Sequence, residues 1–336
     1  MISGVLAAIT WGLETVTIGI ALAMSPLVNN VGEAIFLAPF VSTFIHDAFS
    51  AIFTWIFNGV RGQLGSVFKA LFKTKSGKFV VLAAVIGGPV GMTGYVMAVT
   101  YMGASVGAIA SAIFPAIGSV LAYIFLKERM KWYQWIFLGL TILGVYGLSY
   151  STDLSPKNYL FGILGALMCA FGWGIEAVIL AKCLKDPEVK DEYALQIRQT
   201  TSAIVYGAAI LPILGLMGFK EGGLIPWKFT ISLFHGAGWI IPVIALAGVF
   251  ATISYLFYYK AISGIGASKA MALNITYTAW AMIFALVYDL IRHLSDSTYA
   301  VSYPSGLTVV CAAVVLVCSI FAAADFKEIF KKREQV

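Results

Sequence analysis

The chain has 336 residues, of which 60% are hydrophobic and only 11% are charged, and its formal net charge is +6. Soluble domains are about 45–50% apolar and about 25% charged, so this composition excludes an ordinary soluble protein and predicts an all-α integral membrane protein. The basic residues fall in loops that flank apolar segments. The expected partner of this charge is therefore the lipid bilayer and not a nucleic acid.

Ten apolar segments have about the 20 residues that a helix needs to cross a bilayer. In chain order they are residues 2–25, 33–59, 78–101, 104–126, 131–150, 158–182, 192–217, 236–262, 267–291 and 300–324. Within the first connecting loop, residues 61–77 carry apolar side chains at helical spacing among lysines. This pattern is typical of a short helix that lies on the cytoplasmic membrane surface.

The distribution of Lys and Arg predicts the orientation. If the N-terminus is cytoplasmic, the inner loops and the tail hold 17 of these residues and the outer loops hold 4. The positive-inside rule then places both termini in the cytoplasm, with residues 326–336 as a basic tail. The protein is expected in the plasma (inner) membrane.

A repeated tetrapeptide indicates an internal duplication. Residues 11–14 read WGLE and residues 173–176 read WGIE, an offset of 162, while GAS recurs at 103–105 and 266–268 with an offset of 163. Five segments per unit is an odd number, so the two units must cross the membrane in opposite directions. The sequence thus predicts two inverted five-helix repeats, 1–150 and 151–325, with a central substrate site between them.

Ionisable side chains inside apolar segments are costly and are functional candidates by default. Five such residues occur: Glu14, His46, Asp47, Glu176 and Arg198. By contrast, Lys127 and Glu128 lie at a segment end, where a solvated cytoplasmic cap is expected.

The second and seventh segments carry polar stripes at helical spacing. One contains His46 and Asp47, and the other contains Gln199 beside Arg198. The His46–Asp47 pair either fixes helix packing through hydrogen bonds or handles protons, because histidine titrates near neutral pH. Arg198 is expected to pair with Glu176 or Asp47, or to extend towards the membrane surface, in preference to contacting a substrate.

Aromatic side chains collect in the same segments as the carboxylates. Each single Tyr or Trp could mark a membrane interface, but several lie well inside their segments. Candidate wall residues of a central cavity are Trp11, Trp173, Tyr255, Asn274, Tyr277 and Trp280, together with the carboxylates of Glu14 and Glu176. Ring faces combined with carboxylates suit a quaternary ammonium ion, which has no hydrogen-bond donor.

Signals of enzymatic chemistry are missing from the sequence. No HExxH, Walker A or GxGxxG context occurs, and the four cysteines lack metal-ligand spacing. Neither a cofactor nor a metal nor an enzymatic activity is therefore expected.

Several longer stretches resemble a known family. They are 46-HDAFS-50, 87-GGPVGM-92, 172-GWGIEAV-178, 197-IRQTTS-202, 252-TISYLFYYKAI-262 and 266-GASKAMALNITYTAW-280. The chain resembles the EamA-type drug/metabolite transporter superfamily and, within it, the LicB-type choline permeases. The resemblance implies proton-coupled choline import through an aromatic box with an acidic group. It points to Trp173, Glu176, Tyr255, Asn274, Tyr277 and Trp280, with Trp11 as the first-half counterpart.

The predicted function is therefore import of choline or a similar small cation by alternating access. Two alternatives stay open at this point: an EamA-type exporter of amino acids, drugs or other metabolites, and a membrane scaffold without transport. The sequence also leaves open the direction of transport, the coupling ion, the role of Glu14 and whether the protein forms a homodimer.

Overall fold

The computed structural model describes residues 1–28, 37–102, 104–150, 158–220, 223–236 and 238–325. In this part of the chain the secondary structure is helical. The helices are α1 (Ile2–Leu22), α2 (Leu37–Val60), α3 (Leu64–Lys73), α4 (Lys75–Met102), α5 (Ala104–Leu126), α6 (Trp132–Leu148), α7 (Tyr159–Cys183), α8 (Asp191–Leu216), α9 (Pro226–His235), α10 (Ile240–Ile265), α11 (Ala267–Ser295) and α12 (Gly306–Ala323).

Nine of the described helices have a stretch long and apolar enough to cross a membrane, which confirms a multi-pass, all-α membrane protein. The tenth predicted segment forms the shorter apolar helix α6. The exact number of crossings, the orientation and the repeat organisation stay predictions. The start of the second predicted segment (33–36) and the predicted basic tail (326–336) lie outside the described residues. Helix α3 falls within the stretch predicted to lie on the membrane surface.

Three of the long helices are interrupted inside the bundle. Helix α4 contains a π-helical turn at Ile86–Gly91 that includes Pro89, and α8 contains one at Tyr206–Ile210. Helix α11 breaks between Asn274 and Tyr277. Proline removes a backbone donor, and π-helical turns and broken helices are frequent at functional sites of membrane proteins. All three interruptions carry, or lie beside, residues that line the internal cavities described below.

Helix packing is reciprocal between the two halves of the chain. Helix α1 packs against α10 and α11, and α7 packs against α4 and α5. Helices α2 and α8 contact each other, as do α6 and α12. The first five predicted crossings are α1, α2, α4, α5 and α6, and the last five are α7, α8, α10, α11 and α12. If each helix of one set is exchanged for the helix at the same place in the other set, the same contacts result. The packing therefore supports the predicted duplication.

The glycines of the two tetrapeptides lie at equivalent helix crossings. A Cβ added at Gly12 would lie 2.7 Å from Trp280 Cβ and 2.9 Å from the Ala281 nitrogen, on α11. A Cβ added at Gly174 would lie 3.0 Å from the Gly118 nitrogen, on α5. Gly118 and Ala281 are related by the same offset of 163 as the GAS motifs. The small residue lets each helix approach its neighbour closely.

Glu128 is more than a solvated cap. Its carboxylate accepts hydrogen bonds from the backbone N–H groups of Ala267 and Ser268, each at 3.1 Å. These donors open α11 directly after Gly266, whose φ of 88° suits glycine. The first N–H groups of a helix have no partner within the helix, so Glu128 ties the end of α5 to the start of α11.

Candidate functional site

A cavity of about 170 Å³ lies between the two halves of the bundle. It runs from Trp11 and Glu14 along α1 to Leu22 and reaches Pro39 on α2, which is the predicted outer side. Helices α4, α7, α8 and α10 complete its wall. The volume accommodates several water molecules or one small organic cation.

Four aromatic rings from four helices meet around Trp11, which lines this cavity. The Trp11 ring stacks on Tyr277 with a centroid distance of 4.7 Å. It also contacts Tyr255 at 6.1 Å and Trp173 at 6.3 Å. The structure thus brings together four of the five ring residues that the sequence singles out for an aromatic box.

The orientation of Trp173 is fixed by a hydrogen bond to the other half of the chain. Its indole Nε1–H donates to the carbonyl oxygen of Gly87 at 3.0 Å. Gly87 lies in the π-helical turn of α4, where the backbone carbonyl hydrogen bonding differs from that of a regular α-helix. The Trp173 ring is further enclosed by Tyr95 at 5.9 Å and Phe114 at 5.8 Å.

Glu14, His46 and Asp47 form a buried chain of polar groups at the cavity wall. His46 Nε2 lies 3.3 Å from Glu14 Oε1, and His46 Nδ1 lies 3.0 Å from Asp47 Oδ1. Asp47 Oδ2 accepts a 2.5 Å hydrogen bond from Ser202 on α8. The imidazole therefore bridges two carboxylates, and one of them lines the cavity from α1.

Arg198 continues this network to the second tetrapeptide. Its Nε donates to Glu176 Oε1 at 3.0 Å, and its Nη1 lies 3.8 Å from Asp47 Oδ2. Its guanidinium also lies over the Tyr255 ring, 4.6 Å from the centroid. Arg198 thus contacts both carboxylates that the sequence offers as its partners.

Gln199 connects the charged groups to the second helix. It accepts a hydrogen bond from Arg198 Nη1 at 2.6 Å, and its Nε2 donates to Ser50 Oγ at 2.7 Å. Ser50 in turn contacts Thr252 Oγ1 at 2.8 Å. Buried polar groups need such partners, so the polar stripes on α2 and α8 face each other.

Four of the predicted substrate-binding residues do not line the large cavity: Glu176, Asn274, Tyr277 and Trp280. Asn274 is fully buried at the break in α11 and lines a small cavity on the far side of the rings. Trp280 stacks on Phe284 with a centroid distance of 6.3 Å. Trp280 is not among the described residues that line either cavity, so its contribution to an aromatic box stays a prediction.

Three wall residues were not singled out as site residues in the sequence. Tyr95 and Phe114 flank Trp173, and Tyr206 lines the large cavity from the π-helical turn of α8. A signal existed for Tyr95, because the repeat offset of 163 pairs it with Tyr258, which lines the small cavity. Phe114 had no such signal.

The charge balance of the site favours a cation. Glu14, Asp47 and Glu176 contribute three carboxylates, and Arg198 contributes one guanidinium. If the carboxylates are ionised and His46 is neutral, the group carries excess negative charge. The chain is thus a multi-pass membrane protein with an internal cavity that aromatic and acidic side chains line together.

Comparisons with known proteins agree with this class. Residues 1–150 match the EamA-like transporter family. The chain is 29% identical over 201 residues to "Protein LicB" of Haemophilus influenzae (strain ATCC 51907 / DSM 11121 / KW20 / Rd). That match covers 60% of this chain and 63% of LicB, so it spans less than two thirds of either protein. The two matches confirm the predicted resemblance to EamA-type transporters and to LicB.

A solved crystal structure shows that the fold occurs elsewhere. It covers 96% of this chain and 97% of its own, with a TM-score of 0.67 and 16% sequence identity. At that identity the likeness concerns the fold alone.

Proposed function

We propose that this protein is a secondary transporter that imports choline, or a similar small quaternary ammonium cation, by alternating access. The observation that carries the proposal is the large cavity, which Trp11, Trp173 and Tyr255 line together with Glu14. The similarity to EamA-like transporters and to LicB supports transport. The sequence resemblance to LicB-type choline permeases supports choline as the substrate.

The chemistry of the wall suits this class of ion. A quaternary ammonium ion offers no N–H donor, so it gains little from hydrogen-bond acceptors alone. Ring faces attract it by about 0.5–2 kcal/mol per ring, and a nearby carboxylate adds Coulomb attraction that is stronger inside a protein than in water. Trp11 and Glu14 lie one helical turn apart on α1 and supply both contributions to the same cavity.

The shape of the structure supports alternating access. The cavity extends towards Leu22 and Pro39, on the predicted outer side. On the predicted cytoplasmic side, Glu128 joins α5 to α11, and Asp191 accepts a hydrogen bond from Ser263 between α8 and α10. We assign this conformation as open outwards and closed inwards.

Two sources of energy can drive import. Inward movement of one positive charge gains about 2.3 kcal/mol per 100 mV of inside-negative potential. A proton carried in the same direction would add to this, and His46 between Glu14 and Asp47 is the proposed proton site. Because Glu14 also lines the cavity, the position of this proton and the binding of the cation act on the same carboxylate.

The experiment measures uptake into proteoliposomes that contain the purified protein. Labelled choline is tested with an inside-negative potential, with and without an inward proton gradient. Unlabelled choline, glycine betaine, spermidine and alanine serve as competitors. We expect potential-driven choline uptake that choline itself inhibits and alanine does not. Absence of uptake together with absence of choline binding would overturn the proposal.

The amino-acid exporter is less well supported by the site. A zwitterionic amino acid needs a cationic partner for its carboxylate. Among the described lining residues of the large cavity, Arg198 is the one lysine or arginine, and its guanidinium already contacts Glu176, Asp47 and Gln199. Inhibition of uptake by alanine but not by choline would favour the exporter.

A further inference from the structure

A second cavity lies directly behind the aromatic wall. Its volume is about 20 Å³, and it shares the rings of Trp11, Trp173 and Tyr255 with the large cavity. The rest of its wall consists of Phe114, Glu176, Ala177, Tyr258 and Asn274. A water molecule needs roughly 10–15 Å³ of such space, so in this conformation the small cavity can hold a water but no organic cation.

An unpartnered amide lines this small cavity. Asn274 is fully buried, and neither its Oδ1 nor its Nδ2 has a hydrogen-bond partner among the described residues. A buried polar group without a partner is destabilising. The amide lies at the end of the first segment of α11, next to the break. It is therefore available to a polar group that enters from the other side of the rings.

The two glutamates of the repeated tetrapeptide are divided between the two cavities. Glu14 lines the large cavity, and Glu176 lines the small one. Both cavities share the three rings, so the carboxylates lie on opposite sides of one aromatic wall. The arrangement gives each side of the wall its own counter-charge for a cation.

We propose that Glu14 and Glu176 serve the same cation in succession, and that Glu176 with Asn274 forms a second cation subsite behind the rings. This inference rests on the proposed function, and it adds a second station to the transport path. The cation first binds at Glu14 and the outer faces of the rings. When the rings separate, it moves to Glu176, where the Asn274 amide can hydrogen-bond the hydroxyl group of a ligand such as choline.

For this step the transported cation must replace the Arg198 guanidinium as the partner of Glu176. Its guanidinium lies over the Tyr255 ring and beside Glu176, in the position that a bound cation would need. It also lies 3.8 Å from Asp47. Arg198 can therefore release Glu176 to the arriving cation and keep Asp47 as its partner. Arg198 lines the large cavity and not the small one, so it holds Glu176 from the side of the first subsite.

The test separates equilibrium binding from transport. Binding of labelled choline to purified protein and its uptake into proteoliposomes are measured for Glu14→Gln and Glu176→Gln. We expect Glu14→Gln to weaken binding by about tenfold or more, equivalent to about 1.4 kcal/mol. Glu176→Gln should change binding by less than about threefold and lower uptake by about tenfold or more. Equal loss of binding in both variants would overturn the proposal.

Asn274→Leu keeps the test informative if Glu176→Gln fails to fold. The substitution removes the amide and adds no charge, and it should lower choline uptake while binding stays within about threefold. Glu188→Gln is the matched control for Glu176→Gln, because Glu188 is half exposed and pairs with Lys69 at 2.9 Å. Unchanged uptake in Asn274→Leu would overturn the second subsite.

The outcomes also distinguish this inference from the proposed function. If the unaltered protein neither binds nor transports choline, the proposed function fails. If it does both, and the glutamate and asparagine variants do not separate binding from uptake, only the succession of two subsites fails.

Discussion

The two copies of the tetrapeptide occupy equivalent places in the bundle but different electrostatic surroundings. Glu14 of WGLE contacts His46 at 3.3 Å and lines the large cavity. Glu176 of WGIE contacts Arg198 at 3.0 Å and lies behind the aromatic rings. Arginine is permanently charged in proteins, whereas histidine changes charge near neutral pH. One copy therefore has a fixed counter-charge and the other has a counter-charge that can change.

In the predicted inverted duplication, this difference gives two similar backbone positions unequal charged partners. Helix packing remains reciprocal, since α1 and α7 make equivalent crossings. The charged partners are not reciprocal, because His46 lies on α2 and Arg198 lies on its predicted counterpart α8. The backbone places Glu14 and Glu176 at similar positions. Their partners His46 and Arg198 make the two positions different.

The largest expected difference is in the free energy of unfolding lost when Arg198, the partner of Glu176, or His46, the partner of Glu14, is replaced. Arg198→Leu leaves Glu176 and Asp47 buried without their cation, which should lower the free energy of unfolding by about 3–5 kcal/mol. His46→Leu removes the hydrogen bond to Asp47 and the ionic contact with Glu14, and should cost about 1–3 kcal/mol. Denaturant titration in detergent micelles measures both. Arg198→Lys, which keeps the charge, serves as the control, and equal losses for Arg198→Leu and His46→Leu would contradict the comparison.

A smaller effect is expected at the two helix crossings. Gly12→Ala brings a methyl group to 2.7 Å from Trp280 Cβ, and such overpacking costs about 1–3 kcal/mol. Gly174→Ala should cost less, because its nearest neighbour, the Gly118 nitrogen, is at 3.0 Å.

Gly19 on the same helix provides the control for this pair. A Cβ added there meets nothing within 4 Å, so Gly19→Ala should stabilise α1 by roughly 0.5–1 kcal/mol. Thermal unfolding of the three variants in one detergent gives the order. A Gly12→Ala protein that is as stable as Gly19→Ala would show that α1 and α11 are less tightly packed.

The smallest expected effect separates two tryptophans that the sequence treats alike. Trp11→Ala should weaken choline binding by about 0.5–2 kcal/mol, the contribution of one ring face. Trp280→Ala should leave binding nearly unchanged, because this ring stacks on Phe284. Equilibrium binding of labelled choline checks both, with Trp11→Phe as a variant that retains a ring. Equal losses at Trp11 and Trp280 would place Trp280 in the aromatic box.

Much of the architecture could be predicted because hydrophobicity directly reports the solvent around a membrane helix. Each of the ten apolar segments overlaps with a described helix. The composition of the aromatic cluster was also accessible, since Trp11, Trp173, Tyr255 and Tyr277 lie well within apolar segments. Their meeting point was not, because ring contacts depend on the rotation of four separate helices.

The main feature that could not be predicted from the sequence was which group each side chain contacts. Glu128 lies at a helix end, where solvent is the usual partner, but the fold places the first N–H groups of α11 beside it. Trp280 follows Tyr277 by three residues on the same helical segment, but Tyr277 stacks on Trp11 of α1 whereas Trp280 stacks on Phe284 of its own helix. In both cases a local pattern was correct and a tertiary contact decided the outcome.

The sequence by itself determined the class of protein, the positions of the apolar helices and the set of charged and aromatic residues within them. It did so because burial in lipid limits which residues an apolar segment can contain. Only the tertiary structure decided that Glu14 lines the large cavity and that Glu176 lines the small one and pairs with Arg198. Helical periodicity specifies the face on which a side chain lies, but the crossing of neighbouring helices specifies its partner.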